Sequence, residues 1–285
     1  MNELRQSLEL RDAAMRRIRA FFHARDFLEV ETPIRLRAPC MELHVDAEPS
    51  GGAFLRTSPE LSHKKLLAGG AQRIFELAKC FRRGERGPLH HPEYLMLEWY
   101  RAEADYDDVL EDVRDLLAAV WPERRIGWTV LSVAEAFARH AGWNPIESYD
   151  ADRFDVDMAE RVEPALREIG GAVVLKDYPA EAAALARLKP ENPRLAERWE
   201  LYLDGVELAN AYSELTDPDE QRRRFETCAR QRAALGKPVY PIDETFLVAL
   251  GRMPAAGGAA LGVDRLLMLL AGADSLDAVL PFREP

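Results

Sequence analysis

Cysteine is scarce in this chain, with only Cys40, Cys80 and Cys228 among 285 residues. The number is odd, the spacing wide and no pair sits at metal-ligand separation, so neither a disulfide framework nor a zinc site is suggested. Long apolar runs are missing too: none approaches the roughly 20 residues that span a bilayer. The opening stretch, MNELRQSLELRDAAMRRIR, carries charge throughout and has no apolar signal core. These absences predict a soluble, cytoplasmic protein with no membrane contact. Positive charge is in deficit, 38 Lys and Arg against 49 Asp and Glu, a formal net charge of -11. That balance opposes non-specific attraction to phosphate backbones, which draws on a basic surface to release counterions. A cationic small substrate or a basic partner fits better. Repeats and low-complexity tracts are absent as well.

What is present is enough apolar residue, 47% of the chain, to bury one large core, and a single domain over 1–285 is expected. Met15, Ile18 and Phe22 fall on one stripe, predicting an amphipathic helix from Leu8 to Arg25. Phe27 to Val30 reads as a strand that Pro33 must end or push to an edge. The runs RIFELAKCF and YLMLEWY, separated by RRGERGPLHHPE, predict a long hairpin, and Asp107 to Val120 a helix laid on the sheet. Residues 142–195, rich in Ala, Pro and charge, are expected to form a helical insertion, with helices near Asp157–Ile169 and Ala180–Leu188. WELYLDGVELANAY predicts a second hairpin turning at Asp204-Gly205. GGAALGVDRLLML reads as a glycine-rich strand feeding an apolar helix.

Four places have the residue types for chemistry. In the first hairpin loop, Arg82, Arg83 and Arg86 lie near His90 and His91, and Tyr94 begins the return strand. Such a loop can hold a polyphosphate while an aromatic ring stacks on a base; a solvated charged loop is the competing reading. In the second hairpin, a two-residue turn pairs Tyr202 with Glu207 and sets Glu200 diagonal to it, so two carboxylates can share a magnesium ion. An exposed acidic strand face is the alternative. Asn210 and Glu214 point the opposite way from Glu207 in a regular strand and join it only through a bulge or strong twist.

The third place is the C-terminal helix, where Arg265 stands among apolar residues beside Gly257, Gly258 and Gly262. Its guanidinium needs an anion, from either a protein carboxylate or a substrate phosphate. The fourth is TSPE, where Ser58 can cap a helix with Pro59 at its first position and Glu60 can hold a substrate ammonium. At the end of the return strand, Glu98 and Tyr100 read most simply as a solvated carboxylate and an interfacial aromatic.

In order, FLEVETP, FRRGERGPLHHPEYLMLEWY and GGAALGVDRLLML resemble the three signature motifs of class II aminoacyl-tRNA synthetases. TSPE, MLEWY and GVELANAYSELTD resemble the lysyl-tRNA synthetase branch, and the likeness covers nearly the whole chain. Because the sequence starts at the helix before the first motif, with no anticodon-binding domain ahead of it, it resembles the truncated paralogues that attach beta-lysine to elongation factor P. Ala260 matches the alanine found there in place of glycine.

The resemblance implies an α+β fold, an antiparallel sheet flanked by helices, with the first motif at a homodimer interface. It implies ATP as substrate with Mg2+, and a lysine-like amino acid, (R)-beta-lysine foremost, activated as its adenylate and passed to elongation factor P. Arg82 would contact the α-phosphate and carboxylate, His90 and Arg265 the distal phosphates, and Tyr94 the adenine, with Glu85, His91, Glu207, Leu208 and Gly262 completing the ATP site. Glu200 and Glu207 would bind the metal. Ser58, Glu60, Tyr100, Asn210, Glu214 and Ala260 would form the amino-acid pocket, Glu60 taking the amino group nearest the carboxylate and Glu214 with Tyr100 the side-chain ammonium. Arg82-Arg83-Gly84 departs from the family's Arg-Asn-Glu, His91 from an asparagine and Tyr94 from a phenylalanine. A lysine-activating enzyme serving another carrier or tRNA, and a catalytically silent paralogue acting as a binding module, are the alternative readings.

Overall fold

A computed structural model of the chain describes residues 2–282. Helix α1 (Asn2–His23) starts earlier than its apolar stripe and buries Ile18 and Phe22 completely. It leads into β1 (Leu28–Glu29), shorter than predicted, then a small side sheet of β2 (Arg35–Leu36), β3 (Pro49–Ser50) and β4 (Ala53–Leu55). Helix α2 (Glu60–Ala68) precedes the predicted long hairpin, β5 (Arg73–Phe81) and β6 (Glu93–Ala102). Helix α3 (Tyr106–Val120) begins at a capping box closed by Asp105 and Asp108. After it come β7 (Trp128–Ser132), α4 (Val133–His140), α5 (Ala151–Asp157) and α6 (Glu163–Ile169), the last two joined through a π turn. Strands β8 (Ala172–Pro179), β9 (Leu188–Lys189), β10 (Asn192–Leu203) and β11 (Val206–Ser213) follow. The chain then forms α7 (Pro218–Ala234), α8 (Glu244–Leu250), β12 (Ala256–Gly262) and α9 (Val263–Leu270).

The main sheet runs β1-β5-β6-β12-β11-β10-β8-β7, with β9 paired to β10. Its centre is antiparallel, as expected, and only the two outer pairs, β1 with β5 and β7 with β8, are parallel. Alternation along the strands sorts the side chains. Leu95, Leu97, Trp99, Trp199, Leu201, Ala209, Ala211, Ala259 and Leu261 enter the core under α1, α3 and α9. The opposite face carries Met96, Glu98, Tyr100, Asn210, Tyr212 and Ala260, which therefore meet across three adjacent central strands, β6, β12 and β11.

The helical expectation for 142–195 is corrected in its second half. Ala172 to Leu175 is a continuous buried apolar run after Gly170-Gly171, and it is paired on both sides within the sheet. Nor is Ala180–Leu188 a helix: one 3-10 turn, Ala180–Ala182, leads to β9. Its carbonyls are satisfied from outside, Ala182 by Arg198 and Ala184 and Ala186 by Arg224, so the segment has no call on helical bonds. Among the described residues, no helix is long and apolar enough to cross a membrane.

Candidate active site

The second hairpin turns at Asp204 and Gly205, both at positive φ, so Tyr202 stands opposite Glu207 as predicted. The register then shifts: Leu201 faces Ala209, leaving Leu208 as the extra residue of a bulge. One added residue reverses the parity of everything after it. Asn210 consequently pairs with Glu200 and shares its face with Glu207, the one arrangement that lets these side chains belong to a single site.

Two contiguous cavities lie on this face, sharing Arg82, Met96, Asn210 and Ala260. The inner is about 70 Å³ and the outer about 210 Å³, proportions that suit a small ligand beside a larger one. The inner recess is walled by all six predicted amino-acid residues, Ser58, Glu60, Tyr100, Asn210, Glu214 and Ala260, together with Glu42, Glu98 and Tyr212.

The floor of the recess is a buried charge cluster. Lys64, fully buried one turn after Glu60 on α2, places its Nζ 2.6 Å from carboxylate oxygens of both Glu60 and Glu214. Burial raises the pKa of both carboxyls, and Lys64 pulls against it; Glu214 is pushed up to about 8. With one ammonium between two carboxyls, the cluster keeps Glu214 protonated near neutral pH until a further cation arrives, and Glu214 Oε1 is buried without a hydrogen bond. Glu98, 1% exposed, accepts from the Ser58 hydroxyl at 2.6 Å and the Tyr100 hydroxyl at 3.0 Å, and pairs with His63. Burial opposes protonation of His63, but hydrogen bonds to Glu76 and Glu98 outweigh it and raise its pKa. Glu98 is thus no solvated carboxylate. Ser58 departs from its expected role as well: Pro59 occupies the cap position of α2, and the Ser58 hydroxyl accepts the Glu60 amide while donating to Glu98.

The outer cleft brings together Arg82, Glu85, His90, His91, Tyr94, Glu207, Leu208, Gly262 and Arg265, all nine residues predicted for it. Arg82 lies 5.2 Å from the Tyr94 ring centre, and the Tyr94 hydroxyl donates to the Thr57 carbonyl at 2.6 Å, which anchors the ring. Arg265 donates to the Glu207 and Leu89 carbonyls, to the Glu207 carboxylate at 3.1 Å and to His90 Nε2 at 2.8 Å. Burial and the Arg265 charge lower the His90 pKa, which suits that nitrogen to accepting. Arg265 therefore answers the question left open in the sequence with a protein carboxylate, and its guanidinium also faces the cleft. Glu85 stands on the cleft wall 3.8 Å from Arg82.

Glu200 lines neither cavity. Its oxygens are held by Arg198 at 2.5 Å, Tyr178 at 2.6 Å and Tyr202 at 2.9 Å. Sequence reasoning missed Lys64 and Glu98 as parts of the site. Both had a usable signal: Lys64 is four residues after Glu60 on a helix, and Glu98 is two before Tyr100 on a strand. Glu42 had none, because it sits in an irregular loop.

A model of the family described as tRNA synthetases class II (D, K and N) matches residues 1–284. The elongation factor P–(R)-beta-lysine ligase of Erwinia tasmaniensis is 40% identical over 95% of this chain and 93% of that protein. Those of Sodalis glossinidius and Klebsiella pneumoniae are each 39% identical with the same coverage. Matched along almost its whole length by both kinds of comparison, this protein belongs to the class II tRNA synthetases (D, K and N), in the group of the elongation factor P–(R)-beta-lysine ligases.

Proposed function

We propose that this enzyme activates (R)-beta-lysine with ATP and transfers it to a lysine side chain of elongation factor P. The observation that carries the reading is the recess floor, where Glu60 and Glu214 share the single ammonium of Lys64 and Glu214 Oε1 has no partner. An uncompensated buried carboxylate is costly, so the pocket selects a ligand that brings its own cation.

In the first step a carboxylate oxygen of the amino acid attacks the α-phosphorus, the bond to pyrophosphate breaks, and the adenylate forms. No protein nucleophile takes part. Arg82, on the wall shared by both cavities, would hold the two anions together, while Arg265 and His90 would hold the distal phosphates and Tyr94 the adenine. Asn210 would orient the carboxylate, and Tyr100 with Glu214 the side-chain ammonium. In the second step the amine of the acceptor lysine attacks the adenylate carbonyl, AMP leaves and an amide forms. Mg2+ would be held at Glu207 on the cleft wall and would neutralise polyphosphate charge, while Glu200, the second carboxylate expected to bind it, would first have to give up Arg198, Tyr178 and Tyr202. Glu207, whose side chain is 44% exposed, is the more open of the two. We assign the first motif to a homodimer interface on the strength of the resemblance and of exposed Leu28 and Ile34 beside it.

The test is amino-acid-dependent ATP-pyrophosphate exchange with (R)-beta-lysine, L-lysine or no amino acid. Stimulation by (R)-beta-lysine supports the proposal; preference for L-lysine points to another carrier or tRNA. No exchange from folded protein with magnesium present leaves a silent binding module.

A further inference from the structure

Arg232, at the end of α7, is fully buried; its Nε donates to the Pro238 carbonyl at 2.7 Å, and most of its other partners lie in one loop. It donates to the carbonyls of Glu42 at 2.5 Å, Leu43 at 3.3 Å and Val45 at 2.9 Å, and pairs with the Asp46 carboxylate at 2.5 Å. The same guanidinium reaches Tyr240, whose hydroxyl accepts the Ala47 amide at 2.8 Å. The Asp46 carbonyl in turn accepts the Arg83 amide at 2.7 Å, tying this loop to the residue after Arg82. A loop without regular structure is thus fixed at both ends.

From this strap the Glu42 side chain reaches the wall of the inner recess. Every other acidic side chain there is engaged: Glu60 and Glu214 by Lys64, and Glu98 by Ser58, Tyr100 and His63. The Glu42 carboxylate has no hydrogen bond or ion pair among the described residues, although Arg232 consumes its backbone carbonyl. It lines the same recess as Arg82 and Glu60, and its charge acts on both.

We infer that Glu42 is a specificity-determining residue that receives the substrate amino group nearest the carboxylate, and that Arg232 is a positioning residue that holds it there. The inference rests on the proposed activation of a lysine-like amino acid. In that reading Arg82 holds the substrate carboxylate, and the nearest amino group falls between Arg82 and Glu60. Glu42 gives that position a second carboxylate whose charge no protein cation has already used.

The experiment pairs two ligands. (R)-beta-lysine carries both ammonium groups; 6-aminohexanoate is the same chain without the amino group in question. Each is titrated calorimetrically into wild type, Glu42→Gln and Arg232→Lys, and exchange is measured alongside. Glu42→Gln keeps side-chain volume and the backbone carbonyl that Arg232 holds. It should weaken (R)-beta-lysine about 10- to 100-fold, the range for one charged hydrogen bond, and change 6-aminohexanoate less than about 2-fold. Arg232→Lys loses the fork that spans the loop carbonyls and should show the same ligand dependence, with the KM for the diamine rising more than that for ATP. A purely structural role would weaken both ligands alike. Equal weakening of the two ligands, or none, overturns the inference while leaving wild-type exchange to support the activity. Wild type that binds the diamine in a Glu42-dependent way without exchange overturns the activity and upholds the inference. Wild type that binds no diamine overturns both.

Discussion

Lys64 is held between carboxylates only 2.6 Å away on each side, with no solvent contact. Removing it leaves two buried carboxyls with no cation between them and breaks a buried ion pair, a loss of roughly 3 to 5 kcal/mol. Lys64→Met should therefore lower unfolding stability in denaturant by that order. The double variant Lys64→Met, Glu60→Gln should recover part of it, since one buried charge is then gone; a single variant as stable as wild type would contradict the charge account. Gly258 makes a steric prediction in the same place. A methyl group there would overlap Glu214 Oε1 and the Tyr100 ring, the two groups assigned to the side-chain ammonium. Overpacking typically costs about 1 to 3 kcal/mol, so Gly258→Ala should raise the amino-acid KM about 10- to 100-fold and leave the KM for ATP within about 3-fold. Exchange assays with each substrate varied in turn separate the two effects.

At the scale of elements, His63 is the joint between α2 and the long hairpin, 2.9 Å from Glu76 on β5 and 3.4 Å from Glu98 on β6. Its folded pKa is raised above 6.5. The stabilisation from these bonds is fully present below pH 6.5 and is lost as pH rises through the raised value. The stability gap between wild type and His63→Gln, measured by denaturation across pH, should be widest in acid and close on the alkaline side; a gap that widens with pH would reverse the sign. The elements joined here were legible in the sequence because each hairpin is two apolar runs about a turn that glycine marks, with proline added in the first. The outer cleft was legible for the same reason, since its residues lie on two hairpins and one strand-helix junction. The bulge at Leu208 was foreseen only as a condition, because no local pattern requires it and pairing across β10 decides it. Ala180–Leu188 was misread because helix propensity says nothing of Arg198 and Arg224 arriving from elsewhere to take its carbonyls. Glu42 was invisible for a like reason: the residue that positions it, Arg232, lies 190 residues away.

For the whole molecule, burial divides the charges into two populations with different responses to salt. The recess groups Lys64, Glu98 and Glu214 are at most 1% exposed, so mobile ions scarcely screen them. The surface carries the rest of a net charge of -11, which acts on an approaching partner at distances salt can screen. If β1 lies at a dimer interface, sedimentation should give twice the chain mass for wild type, and Leu28→Glu, at a position 62% exposed in the single chain, should give one chain mass. The two steps of the proposed reaction should then part company as ionic strength rises. Exchange without acceptor uses ligands bound in the cavities, and its amino-acid KM should stay within about 2-fold between roughly 0.05 and 0.3 M salt. Transfer to a protein acceptor begins with diffusional encounter, and attraction between an acidic enzyme and a cationic acceptor surface speeds that encounter. The acceptor KM should rise several-fold over the same range, in measurements with (R)-beta-lysine saturating. An acceptor KM indifferent to salt would mean that short-range contacts around the acceptor lysine, and not the acidic surface, bring the two proteins together.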